Sequence, residues 1–158
     1  CYTGKACGTN VSRLLPVALE GPDLYAVLVG GAPSMPYDKA EAEWDDCEGL
    51  WKLVLRRNGP DGGAGAELIL WLRPDTRTPM KIRSSFANKE RFVITFEDFD
   101  TVDGVLVPRT LRFESPIGDT DLEIQVREAY LNQVKDDGTT LFAPNCPAGT
   151  RGQELRCH

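Results

Sequence analysis

The chain has 158 residues, 41% hydrophobic and 27% charged, which suits one domain able to bury its own core and is not the composition of a disordered chain. Its net charge is −6 and its Lys and Arg are scattered, which leaves no electrostatic footprint for nucleic acid and no basic patch for an anionic membrane. No apolar run approaches the roughly 20 residues of a membrane span, and neither a basic nor an apolar leader region opens the chain at Cys1, so no signal peptide is expected within it.

Cys1–Gly8 reads as the end of a strand. Thr9 or Asn10 can accept from the orphan N–H groups of a first helical turn, which predicts a short helix to about Leu15, stopped by Pro16. Gly21-Pro22-Asp23 opens a second helix with proline at its first position. Leu24, Val27 and Leu28 fall at i, i+3 and i+4, one helical face, and Gly30-Gly31 followed by Pro33 ends it. Residues 9–31 are thus expected to form a small helical plug or lid. Ser34–Asp46 reads as polar, irregular and acidic.

From Glu48 the period changes from helical to two. Glu48–Arg57, Ala66–Arg73, Pro79–Phe86, Arg91–Glu97, Gly104–Glu114 and Asp121–Leu131 read as strands. The breaks between them carry turn residues, among them Asn88-Lys89 and Asp103-Gly104. At least five consecutive antiparallel strands are predicted across residues 48–131, in a meander. Trp51, Leu53 and Leu55 share one face while Lys52 and Arg56 take the other. Leu111 and Phe113 alternate with Thr110, Arg112 and Glu114, and Leu122, Ile124 and Val126 alternate with Glu123, Gln125 and Arg127. One face is apolar and the other carries mixed charge. The second strand is apolar on both: Leu68, Leu70 and Leu72 one way, Ile69 and Trp71 the other, so cover on both sides is expected. Two short helices are too little to cover the apolar face. Such a sheet must close on itself, pair with a partner, or hold an apolar ligand. Residues 132–158 form a tail with turns at Asp136-Asp137-Gly138 and Pro147-Ala148-Gly149 and an apolar anchor at Leu141-Phe142.

Five cysteines without a C-x-x-C, in a chain whose single histidine is His158, do not make a zinc site. They read as disulfides of an exported protein. Cys146 and Cys157 flank a Pro/Gly-rich stretch and make the easiest local pair; Cys7 and Cys47 could join the helical segment to the first strand, leaving Cys1 spare. Catalytic constellations are not found. No serine stands in a G-x-S-x-G setting, there is no P-loop or G-x-G-x-x-G, and a Cys157–His158 dyad would lie in a fraying tail. The acidic cluster Glu97, Asp98, Asp100 and Asp103 lacks the order of a calcium loop, and Asp119 and Asp121 beside Gly118 read as turn residues. The expectation is a non-enzyme without metal or cofactor.

Leu70–Lys81 (LWLRPDTRTPMK) resembles the strand–turn–strand of LolA/LolB-like envelope proteins, in which an apolar strand with Trp is followed by P-D-T and a proline opening the next strand. Phe96–Leu111 (FEDFDTVDGVLVPRTL) is similar to their following hairpin, Gly4–Pro33 resembles the helical segment of LolB-like lipoproteins, and Leu122–Leu131 and Leu141–Pro147 match the closing strand and its tail. The resemblance implies a mainly β fold, an incomplete, curved antiparallel β-barrel with two short helices at its mouth. It also implies binding of a lipid or lipoprotein acyl chain between sheet and helices, at the periplasmic face of the outer membrane or in the periplasm of a Gram-negative bacterium. The lining would be Trp51, Leu53, Leu55, Leu111, Phe113, Leu122, Ile124 and Val126 from the sheet and Leu24, Val27 and Leu28 from the helix. The family's N-terminal strands have no counterpart here, so the chain is expected to be a single domain of 158 residues forming the later part of a longer protein, with any lipid anchor at its start or outside it. The protruding apolar loop of LolB is not found either, so the resemblance carries lipid binding rather than membrane insertion. The alternative is a structural subunit whose apolar face or open edge packs on another envelope protein.

Overall fold

The computed structural model describes residues 2–4, 7, 9–10, 19–59, 62–116, 119–130 and 146–157. Two sheets, one helix and the helical Thr9 and Asn10 account for most of their regular structure. Strand β1 (Tyr2–Gly4) is followed by helix α1 (Gly21–Leu28), then by β2 (Lys39–Asp45), β3 (Leu50–Arg57), β4 (Ala66–Leu72), β5 (Pro79–Phe86), β6 (Lys89–Val102), β7 (Val105–Ser115), β8 (Thr120–Gln125) and β9 (Gln153–Leu155). Strands β2 to β8 form a seven-stranded antiparallel sheet in chain order, and β1 pairs with β9, parallel, in a sheet of its own. The meander is therefore an open half-barrel, with β2 and β8 as unjoined edges.

Turn chemistry sets the register. The β5–β6 hairpin turns through Ala87 and Asn88, at φ 49° and 62°, and the β6–β7 hairpin through Asp103 and Gly104, at φ 50° and 81°. Two successive residues at positive φ are what the right-handed twist of paired strands favours in a tight hairpin, and Asn, Asp and Gly tolerate that conformation best. Asp45 organises the β2–β3 turn. Its Oδ1 accepts from the backbone N–H groups of Cys47 (3.1 Å) and Glu48 (3.2 Å), and its Oδ2 accepts from the indole Nε1 of Trp71 (3.0 Å).

Residues 34–46 depart from the irregular segment expected, because Lys39–Asp45 is an edge strand paired along its length with β3. Its alternation of charged residues with Ala40, Ala42 and Trp44 is regular. The composition, however, is that of a solvated edge rather than of a buried strand, and charge on an edge discourages unwanted pairing. The last strand is shorter than predicted. Pairing ends at Gln125, after which Val126 N–H still donates to Arg109 O (2.8 Å).

Both faces of the sheet carry apolar residues, unequally. The main core gathers Leu68, Leu70, Ile82, Phe92, Ile94, Phe96, Leu111 and Phe113 with Leu19 and Val27 from the helical side. Phe92 and Phe113 stack across it with centroids 5.5 Å apart. The opposite face holds a small second cluster, Val54, Ile69 and Trp71 with Leu50, so β4 is covered on both sides as its sequence implied. Lys81 Nζ lies 5.3 Å from the Trp71 ring centroid, a cation–π contact. Around this cluster run exposed ion pairs: Arg56 with Glu41 and Glu67, Lys52 with Glu43, and Arg112 with Glu97 and Glu123.

The hydrogen bond from Trp71, with the backbone donors of the turn, holds the Asp45 carboxyl below its ordinary pKa. A depressed folded pKa adds stability that is complete above the unfolded value of about 3.9 and is lost as pH falls through the folded value. In urea titrations between about pH 5 and pH 2, the Asp45→Asn variant is therefore expected to lose less stability on acidification than the wild type. Equal losses would show that the carboxylate contributes nothing to this pH dependence.

Candidate functional site

The apolar face with α1 on it is where the sequence placed a ligand, and the structure brings most of those residues together there. Leu111 and Phe113 are buried in the core, and Leu53, Leu55, Leu122, Ile124 and Val126 pack against it while remaining partly exposed. From the helix, Val27 is buried and Leu24 packs on the cluster, whereas Leu28 is half-buried outside it. Trp51 shares the face but stands at its end, 44% exposed. Trp44, equally exposed on the neighbouring edge strand, meets it edge-to-face at 5.4 Å.

Local chemistry fixes α1 in place. Pro22 occupies its first turn, and the end is closed by Gly30 at φ 81°, with Gly30 N–H donating to Val27 O (2.9 Å) and Gly31 N–H to Ala26 O (2.7 Å). This is the paired-bond glycine stop expected of a helix that must end abruptly. Gly30 also abuts β7, where a Cβ would lie 2.8 Å from Pro108 Cδ. Beside it the β6–β7 pairing is interrupted at Asp98 and Arg109 without a change of register. Asp98 takes φ 53° and drops out of the pairing, so Phe96 and Phe99, three residues apart, both pack toward the core. At the other end, Asp23 Oδ1 accepts from Ser34 N–H (2.8 Å) and ties the returning chain to the first helical turn.

Between the start of α1 and the ends of β4, β5 and β6 lies a cavity of about 130 Å³. Leu19, Met35, Leu68 and Phe92 give it an apolar floor, and Asp23, Ser84 and Arg91 stand among its polar lining. Typical ligand pockets measure roughly 300–1,000 Å³. The centre of the face is filled rather than hollow, with Ile82 and Ile94 fully buried. What remains open is the two flanks: Leu53, Leu55 and Leu72 toward β2, and Leu122, Ile124 and Val126 toward β8.

The acidic residues go to structural partners. Glu97 pairs with Arg112, Asp100 with Arg109 (2.7 Å), and Asp98 Oδ2 accepts from the Thr110 hydroxyl (2.9 Å). Arg109 and the Thr101 backbone hold the Asp100 carboxyl below its ordinary pKa.

The cysteine pairing differs from that expected. Cys7 is joined to Cys157, with Cα atoms 6.2 Å apart, Cys146 is also disulfide-bonded, and Cys47 is free and exposed. Neither a Cys146–Cys157 nor a Cys7–Cys47 bridge therefore forms, and Cys47 has the free thiol assigned to Cys1, which lies outside the described residues. The reason is the β1–β9 pairing. It sets Tyr2 opposite Gln153 and Gly4 opposite Leu155, which carries Cys7 and Cys157 past the sheet side by side, whereas Cys47 sits in the distant β2–β3 turn. Proximity along the chain gave the wrong partner because a three-residue parallel pairing has almost no sequence signal. Of the first helix expected at 9–15, only Thr9 and Asn10 are described, both helical; Leu14, and Leu141-Phe142 of the tail, lie outside the described residues.

No protein-family model matches the chain, and no curated protein matches it. Among solved structures, a domain described as a candidate outer membrane lipoprotein-sorting protein domain from Vibrio parahaemolyticus is similar in fold, with a TM-score of 0.53 at 12% sequence identity. The match covers 78% of this chain and 52% of that one, so the chain spans about half the length of this relative. At that identity the likeness is one of fold alone.

Proposed function

We propose that this chain is a non-catalytic cell-envelope module that binds an acyl chain of a lipid or lipoprotein on the apolar face of its half-barrel, in traffic toward the outer membrane. The observation that carries this reading is the pair of apolar flanks left beside α1, on a sheet whose edges do not meet. An acyl chain laid along them gains about 0.8 kcal/mol per buried CH₂ without any charged contact. The small cavity at the start of α1 and the filled centre mean that a long chain lies along a flank or displaces α1, which rests on the sheet through few apolar side chains. The oxidised cysteines agree with an oxidising compartment. The lipoprotein-sorting description of the fold relative points to the same compartment and cargo.

Val126→Phe tests it. Val126 is half-buried at the open β8 flank, so a larger ring fills ligand space there without overpacking the core. The variant is expected to bind a fluorescent fatty-acyl probe about tenfold more weakly with an unchanged or higher Tm. Strong destabilisation together with no probe binding by the wild type would make the face plain core.

A second reading, a structural subunit that docks on another envelope protein, is favoured by the exposed Trp44–Trp51 pair beside a free edge strand. Native mass spectrometry after gentle extraction separates the two: co-purifying acyl lipid supports the first, a stoichiometric protein partner the second.

A further inference from the structure

We infer that Arg91 is the recognition residue for an anionic head group on the acyl ligand, a carboxylate or a phosphate, held at the mouth of the cavity beneath α1. The inference rests on the acyl-binding reading and adds which end of the ligand is recognised, and by what.

Strict alternation along β6 would turn Arg91 away from the apolar face, because Phe92, Ile94 and Phe96 occupy it. A bulge prevents this. Ser84 pairs with Phe92 and Ser85 with Glu90, so Arg91 is the extra residue, opposite nothing. A bulged residue escapes the alternation, and bulges re-aim side chains beside functional sites. At this bulge Arg91, itself exposed, is among the residues that line the same cavity as Leu19, Leu68 and Phe92. The bulge is clasped from the next strand, where the buried Ser115 hydroxyl donates to the Arg91 carbonyl at 2.7 Å.

The guanidinium is also uncommitted. Arg56, Arg83, Arg109 and Arg112 each have a carboxylate partner. Among the described residues none pairs with Arg91. The cavity's own carboxylate, Asp23, is tied to Ser34 N–H at 2.8 Å. An anion therefore belongs on the Arg91 side of the mouth, away from Asp23, with Ser84 beside it as a hydroxyl partner. An apolar floor beside an unpaired cation is the complement of an anionic amphiphile. A guanidinium offers a planar fork that matches either oxyanion.

The test compares dodecanoate, methyl dodecanoate and dodecyl phosphate on the full chain and on Arg91→Gln, by displacement of a fluorescent acyl probe. Dodecanoate is expected to bind the wild type about tenfold more tightly than its uncharged ester, the size of one charge-assisted hydrogen bond in a partly solvated site. Arg91→Gln should remove that preference and leave ester binding unchanged, which also shows that the variant is folded; Arg91→Lys should restore most of it. Dodecyl phosphate should show the same dependence on Arg91, and the tighter of the two anions names the head. Equal binding of acid and ester by the wild type, or a preference that survives in Arg91→Gln, overturns the role of Arg91 while acyl binding stands. Failure of all three to bind overturns both.

Discussion

Phe96→Ala should destabilise the chain by about 3–5 kcal/mol, read as a fall in urea midpoint at unchanged m-value. Phe96 is 1% exposed and pairs across the sheet with Leu111, itself buried, beside the fully buried Ile94. Removing the ring leaves a cavity that its neighbours cannot collapse into, because they are held by strand pairing on both sides of β6. Leu122→Ala, on the open β8 flank, should cost much less, since Leu122 is already partly in water. The contrast separates a solid centre from a partly exposed flank. A loss below about 1 kcal/mol at Phe96 would mean that the centre of the face is itself loosely packed, and the division of the face into core and open flank would fail.

The meander was readable in the sequence because two independent signals agreed there. Alternation in Leu111–Glu114 and Leu122–Val126 named the apolar face, and turn residues such as Asp103-Gly104 fixed where each strand ended. The helix was readable for the same reason, with Pro22 at its start and Gly30-Gly31 at its end. What escaped were features with no periodic signal. Lys39–Asp45 alternates, but its Glu and Ala composition is that of a solvated edge. The β1–β9 pairing joins residues 2–4 to 153–155, which no local pattern reports. Arg91 opens the strand in the sequence pattern, and the bulge that leaves it opposite no residue of β5 is a property of how two strands meet, which no local pattern reports. The candidate lining was similarly half-readable: the alternation gave the face, but which of its residues are core and which are flank depends on where α1 lies.

The Cys7–Cys157 bridge should be the main restraint on the two ends of the chain. β1 and β9 pair over three residues each, and most of those residues are exposed, so burial contributes little to their association. The bridge spans 150 positions. On chain-entropy grounds a loop of that length corresponds to about 5 kcal/mol of stabilisation through the unfolded state. Cys146 is disulfide-bonded as well, so the increment from Cys7–Cys157 alone should be smaller than that. Replacing both cysteines, Cys7→Ser with Cys157→Ser, is therefore expected to lower the urea midpoint and to open β1–β9 to hydrogen exchange, while the seven-stranded sheet stays protected. Cys47→Ser is the control and should change nothing, because that thiol is free and exposed in a turn. Alkylation in denaturant without reductant supplies the direct check: Cys47 should be labelled, and Cys7, Cys146 and Cys157 should not. Labelling of Cys7 or Cys157 would remove the bridge. The parallel pairing of the chain ends would then rest on its few main-chain hydrogen bonds, the Asn10 amide's bond to Leu155 O (3.2 Å) and the Cys146 bridge, against a conformational entropy of about 1–2 kcal/mol for each of six residues.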